Sequence, residues 1–192
     1  MPFFSFEIHN ILFYIITILW NLEFLIFRSK YKGNNYSDKQ SFKTILIVIV
    51  TIIAGTIGYN LLGLFTLPEY TYVYFNYAGI TLYTIGIILR YSASITLGRY
   101  FTRNVEVSSN QELISHGPYK LLAHPLYLGL FLLVLAVPVY FGQLVWIFGA
   151  IFFFGRVILN RMNSEEKALE ASLGDTYVKW RSKRYRFIPW MY

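Results

Sequence analysis

The chain has 192 residues, of which 56% are hydrophobic and only 14% charged, where soluble domains carry about 25% charged residues. The apolar excess is gathered into blocks nearly free of charge, which excludes an ordinary water-soluble domain and points to a bilayer. The absence of cysteine excludes disulfides, thiolate metal sites and cysteine nucleophiles, and the net charge of +7 reads as the flanks of membrane spans rather than as a nucleic-acid footprint.

A helix needs roughly 20 apolar residues to cross the hydrocarbon core. The first block, residues 8–27, is interrupted only by Glu23. Residues 1–10 hold no basic side chain, so the positive start of a cleaved signal peptide is missing and this block is expected to remain as a span. The second block, 44–67, has no charge, and the third runs over 72–89. Two shorter blocks, 126–141 and 144–159, are separated by a tight segment around Pro138 and Gln143 and read as a helical hairpin. The polar tail after Leu159 is expected to form a separate cytoplasmic helix, capped at Asn163 or Ser164 and ended by Gly174. The fold expected is therefore an all-α integral membrane protein with about five transmembrane helices, the last two a short hairpin, plus a cytoplasmic C-terminal helix. Residues 1–95 would hold the first three spans and 96–192 the functional core.

Orientation follows from the basic residues. Residues 28–43 carry five Lys and Arg, residues 90–120 carry four and residues 156–186 carry eight, which accounts for all 17 in the chain. The turns near Pro68 and Pro138 have none. Five spans with the N-terminus outside and the C-terminus in the cytoplasm put every one on the same side, as the positive-inside pattern requires. The membrane would be the cell membrane in a bacterium or the endoplasmic reticulum in a eukaryote.

Two polar segments on that side could carry chemistry. The first, LGRYFTRNVEVSSNQELISHGPYKLLAHPLY, has a polar middle over 105–113 that suits an extended excursion. It then has a turn signal at His116-Gly117-Pro118-Tyr119, and His124-Pro125, where proline can open the fourth span at its first turn. In the second, RVILNRMNSEEKALEASLGD, Arg161 and Glu165 are i,i+4 neighbours on one helix face, which by itself describes a surface ion pair. The three histidines have no metal-ligand spacing, and neither H-E-x-x-H, a Gly-rich phosphate loop nor G-x-S-x-G occurs.

In order, LGRYF, the G-x-Y of Gly117 to Tyr119, the H-P-x-Y-x-G of His124 to Gly129 and the R-x-x-x-E-E of Arg161 to Glu166 resemble the isoprenylcysteine carboxyl methyltransferase family, with a basic-aromatic close over 186–189. Phospholipid N-methyltransferases and the C-terminal parts of some sterol reductases share parts of the pattern. The resemblance implies S-adenosyl-L-methionine as cofactor, bound by Gln111, Glu112, Leu113, Ile114, Tyr119, His124, Pro125, Leu126, Tyr127 and Glu165. It implies Arg161 as the catalytic, substrate-holding residue and a lipophilic or prenylated acceptor reached from the surrounding membrane lipids. One departure is Ala123, where the family usually has arginine; it leaves open a different acceptor, weaker donor binding, or replacement by Lys120 one helical turn earlier. No metal and no nucleic acid is expected, and oligomeric state is not legible. A lipid amine as acceptor, a nicotinamide-dependent membrane reductase and a non-catalytic scaffold remain alternatives at this point.

Overall fold

The structure is a computed structural model describing residues 8–26, 36–64, 67–98 and 113–189. Its elements are α1 (Ile8–Ile26), α2 (Tyr36–Leu61), α3 (Glu69–Leu97), a 3-10 turn (Gly117–Lys120), α4 (Pro125–Tyr140), α5 (Leu144–Gly149), a π-helical stretch (Ala150–Phe154), α6 (Gly155–Leu173) and α7 (Asp175–Arg181). The all-α expectation holds. Three helical stretches, Ser41–Leu61, Tyr70–Leu97 and Leu144–Leu173, are long and apolar enough to cross a membrane, and Ile8–Glu23 and Pro125–Tyr140 are apolar but shorter. Large apolar side chains such as Val50, Ile88, Phe152 and Phe153 face outward, the pattern of a lipid-contacting surface. The excursion expected over 105–113 and the candidates Gln111 and Glu112 lie almost wholly outside the described residues, which resume at Leu113.

Two boundaries differ from expectation. The third span was expected to end at Leu89, before Arg90; α3 instead continues two turns to Leu97 and stops at Gly98, whose φ of 50° suits glycine. Arg90 can stay in the helix because its charge is fully partnered. The second correction concerns the tail. No new helix starts at Asn163 or Ser164: α5, the π-helical stretch and α6 form one continuous rod over Leu144–Leu173. Asn160 to Ser164 contains neither glycine nor proline, so nothing interrupts the backbone, and the Ser164 hydroxyl merely donates back to the Asn160 carbonyl (3.1 Å). The rod is 30 residues long, about 45 Å, against roughly 30 Å of hydrocarbon. Gly174 (φ 50°) ends it, as expected.

The π-helical stretch re-phases the rod. From its last residue onward, Phe154, Ile158 and Met162 are fully buried at four-residue spacing, and Arg161 is carried inward with them. A regular α-helix entering from α5 would present a different face.

Helices α3 and α4 form the tightest seam and run antiparallel. Asn76 Nδ2 donates to the Tyr140 carbonyl (2.8 Å) at one end, and Arg90 Nη1 donates to the Leu126 carbonyl (3.2 Å) at the other. The backbones touch because glycines face the partner helix, the small-residue packing that membrane helices favour. A Cβ at Gly79 would lie 2.6 Å from the Tyr140 Cα. Gly79→Ala must therefore push the helices apart, and the expected cost is about 1–3 kcal/mol, seen as a lower unfolding temperature in detergent.

Helix α1 runs parallel to α3. Tyr83 donates to Thr17 Oγ1 (3.2 Å), Tyr91 donates to the Leu19 carbonyl (2.8 Å), and Arg90 Nε donates to Glu23 Oε2 (2.7 Å). Arg90 Nη2 meets the other Glu23 oxygen, so the pair is bidentate, and Glu23 is only 2% exposed.

Candidate active site

The start of α4 sets the site. His124 precedes the helix and Pro125 occupies its first turn, where a missing N–H costs nothing. His124 is buried, and Tyr127, three residues on, shares its face. Opposite them α6 presents Arg161, Glu165 and Glu166. Positions 161 and 165 are stacked one turn apart, whereas 165 and 166 are successive and point about 100° apart.

The two glutamates accordingly take different partners. Tyr127 donates to Glu165 Oε2 (2.6 Å) and accepts from Arg161 Nε (3.1 Å). His124 Nε2 lies 2.9 Å from Glu166 Oε1, which also accepts from Arg181 Nε (3.2 Å) and Arg186 Nε (3.0 Å). Arg186 Nη2 reaches the other Glu166 oxygen at 3.0 Å and also the Asn163 side-chain oxygen. Arg161 is 3% exposed, a buried charge that needs such partners to be tolerated.

The chain after α7 folds back over the segment before α4. Tyr185 N–H donates to the Leu121 carbonyl (2.9 Å), and Ala123 N–H donates to the Tyr185 carbonyl (2.8 Å). Arg184 Nε donates to the Tyr119 carbonyl (2.6 Å), and its guanidinium lies 4.1 Å from the centre of the Trp180 ring. Trp180 Nε1 donates to the Ile114 carbonyl (3.1 Å). Burial raises the Tyr119 phenol well above its ordinary pKa and the Glu165 charge adds to that, so Tyr119 is neutral in the working pH range.

Of the residues expected at the site, His124, Tyr127, Arg161 and Glu165 converge in one cluster. Pro125 and Leu126 form the first turn that carries them, with the Leu126 carbonyl held by Arg90. Tyr119 and Ile114 lie along the tail and α7, and Leu113 is half-buried beside Ile114. Lys120 is exposed, while Ala123 is buried and carries no charge. Positive charge reaches the cluster from the tail instead, through Arg181 and Arg186 on Glu166. Sequence reasoning missed Glu166, Tyr177, Trp180 and these arginines; the available signal was the adjacent Glu165-Glu166 pair, which cannot serve one partner on a helix.

This donor set offers carboxylates to a cation or hydroxyl, a guanidinium to a carboxylate, and buried phenols.

Comparison with known proteins bears on the same stretch. Residues 79–171 match the model of the isoprenylcysteine carboxyl methyltransferase (ICMT) family. The chain is 28% identical over 127 residues to a probable protein-S-isoprenylcysteine O-methyltransferase of Oryza sativa subsp. japonica, a match that covers 65% of each chain. It is 26% identical over 115 residues to protein-S-isoprenylcysteine O-methyltransferase B of Arabidopsis thaliana, covering 59% of this chain and 58% of that relative. The chain thus spans somewhat less than two thirds of the length of the relatives it matches. The matched residues include most of the α3–α4 seam and all of Tyr119, His124, Tyr127, Arg161, Glu165 and Glu166. Over the part that builds the buried cluster, the chain is similar to the isoprenylcysteine carboxyl methyltransferase family.

Proposed function

We propose that the protein is a membrane methyltransferase that uses S-adenosyl-L-methionine to methylate the carboxylate of an isoprenylcysteine-like or other lipophilic acceptor. The observation that carries this reading is the buried Arg161–Tyr127–Glu165 cluster beside His124–Glu166, inside the family-matched residues. When bound, the sulfonium donor supplies an electrophilic methyl group. The chain's own work is positioning and exclusion of water. The acceptor carboxylate is ionised at neutral pH, so no side chain need act as a strong base. Arg161, oriented through Nε by Tyr127, suits two-point holding of that carboxylate. Glu165 suits the cationic or hydroxyl part of the donor, and His124 fixes Glu166 and the start of α4. Gln111, Glu112, Leu113, Ile114, Tyr119, Pro125, Leu126 and Tyr127 complete the donor site.

The topology that suits this chemistry has five spans, the N-terminus outside and the C-terminus cytoplasmic. Two observations support it: α1 and α3 run parallel while α4 runs antiparallel to α3, and the 17 basic residues all belong to the three segments that this topology would put on the cytoplasmic side. The rod over Leu144–Leu173 then projects beyond the bilayer and carries Arg161 and Glu165 to the cytoplasmic boundary. There a polar donor arrives from water and a lipid acceptor from the membrane. Residues 1–95 supply the supporting spans and residues 96–192 the transfer machinery.

Thermal shifts in detergent test the cofactor. S-adenosylmethionine and S-adenosylhomocysteine should stabilise the protein, and NADPH should not; the reverse pattern would indicate a reductase. Glu165→Ala and His124→Ala should each weaken S-adenosylhomocysteine binding by about 10- to 100-fold in calorimetry, the range for losing a hydrogen bond to a charged group. Wild-type affinity in both variants would remove the proposed donor site.

A further inference from the structure

Among the described residues, five buried side-chain polar atoms have no hydrogen-bond partner: Trp20 Nε1, Ser94 Oγ, Gln143 Oε1, Trp146 Nε1 and the Tyr177 hydroxyl. Tyr177 adjoins the cluster described above. It is 1% exposed, and a buried hydroxyl with no partner lowers stability unless something else supplies one.

Its surroundings identify what that partner must be. Arg181 lies four residues on, on the same face of α7, and donates to Glu166 (3.2 Å). Trp180 stacks on the Tyr177 ring, with centroids 5.9 Å apart and planes 23° apart. The same Trp180 indole is fixed by the Ile114 carbonyl (3.1 Å) and by Ser115 Oγ (3.0 Å). Tyr177 therefore lies between the glutamates of α6 and the segment that begins at Leu113. Burial, with the charges of Glu166 and Glu165 adding to it, raises the phenol above its ordinary range, so it acts as a donor.

The acceptor cannot be a cation, which has no lone pair to offer. An anionic acceptor would meet the field of Glu166 and Glu165, which at this hydroxyl outweighs that of Arg181. A neutral hydroxyl satisfies both neighbours, since it accepts from the phenol and donates to a carboxylate. We infer that Tyr177 is a further binding residue, donating its phenolic hydrogen to a ribose hydroxyl of the bound S-adenosyl ligand. This rests on the methyltransferase reading above.

Calorimetry on the full-length protein tests it, using S-adenosylhomocysteine and its 2′-deoxy and 3′-deoxy counterparts against wild type and Tyr177→Phe. Without ligand, Tyr177→Phe should unfold at the wild-type temperature or higher, because it removes an unsatisfied group. Its affinity for S-adenosylhomocysteine should fall by about five- to tenfold, the range for one lost hydrogen bond. One deoxy ligand should lose a similar factor on wild type and little more on Tyr177→Phe. Wild-type affinity in the variant, or equal losses for the deoxy ligands on both proteins, would overturn the inference. Should the variant not fold, equal binding of all three ligands by wild type overturns it and a loss with one deoxy ligand supports it. Failure of wild type to bind S-adenosylhomocysteine at all defeats the methyltransferase reading itself, and the inference with it.

Discussion

Arg161→Ala should lose methyl transfer by at least about 100-fold, the scale of removing a preorganised charged donor from a buried site. Donor binding should change little by comparison, because the proposed donor carboxylate, Glu165, keeps its hydrogen bond from Tyr127 (2.6 Å). Arg161→Lys should recover only part of the rate: an ammonium preserves the charge and loses the planar fork that matches a carboxylate. The check is single-turnover transfer alongside S-adenosylhomocysteine binding in the same preparations. Unchanged turnover in Arg161→Ala would remove the substrate assignment. Equal losses in rate and in binding would instead place Arg161 in the donor site.

The largest expected effect on stability lies outside that cluster. Glu23→Ala leaves the Arg90 guanidinium, whose side chain is 12% exposed, without its bidentate partner. Breaking one side of a buried ion pair costs about 3–5 kcal/mol, which for a chain of this size is a fall in Tm on the order of 10 °C. The same arginine holds the Leu126 carbonyl (3.2 Å) in the first turn of α4, next to Tyr127. Activity at a permissive temperature should therefore fall too, although Glu23 is remote from the cluster. Replacing both residues, Glu23→Leu with Arg90→Met, should recover much of the stability, because an apolar pair of similar volume avoids the desolvation of two charges. A double variant no more stable than Glu23→Ala would contradict this account of the pair.

These two residues also mark the limits of reading the sequence. Charge-free runs and turn residues made the helices legible: proline at 125 opens α4, and glycine at 174 closes α6. Glu23 reads as an interruption within the first block and Arg90 as the residue after the third, because each is a lone charge among or beside apolar residues. They are 67 positions apart, and nothing local says that they neutralise one another inside the bundle. Continuity through Asn163 and Ser164 was hidden for a related reason. A change from apolar to charged composition resembles a new element, yet only glycine, proline or a satisfied cap stops a helix.

The site divides in the same way. Tyr127, Arg161 and Glu165 were reached through resemblance of motif, and the structure places them within hydrogen-bonding distance of one another. The i,i+4 spacing of Arg161 and Glu165 alone described no more than a surface pair. Glu166 went unread because its partners His124, Arg181 and Arg186 come from both chain directions and converge only once the tail pairs with residues 121–123. That fold-back also shows how the cluster carries positive charge although position 123 is alanine.

The central claim is carboxyl methylation of a lipophilic acceptor, and one measurement meets it directly. Membranes containing the protein are incubated with S-adenosylmethionine labelled in its methyl group and an N-acetyl-S-prenylcysteine, and the lipid-phase label is treated with mild base. The account predicts protein-dependent label that base releases as methanol, the behaviour of a methyl ester. Absence of label, or label that resists base as an N-methyl group does, would contradict it.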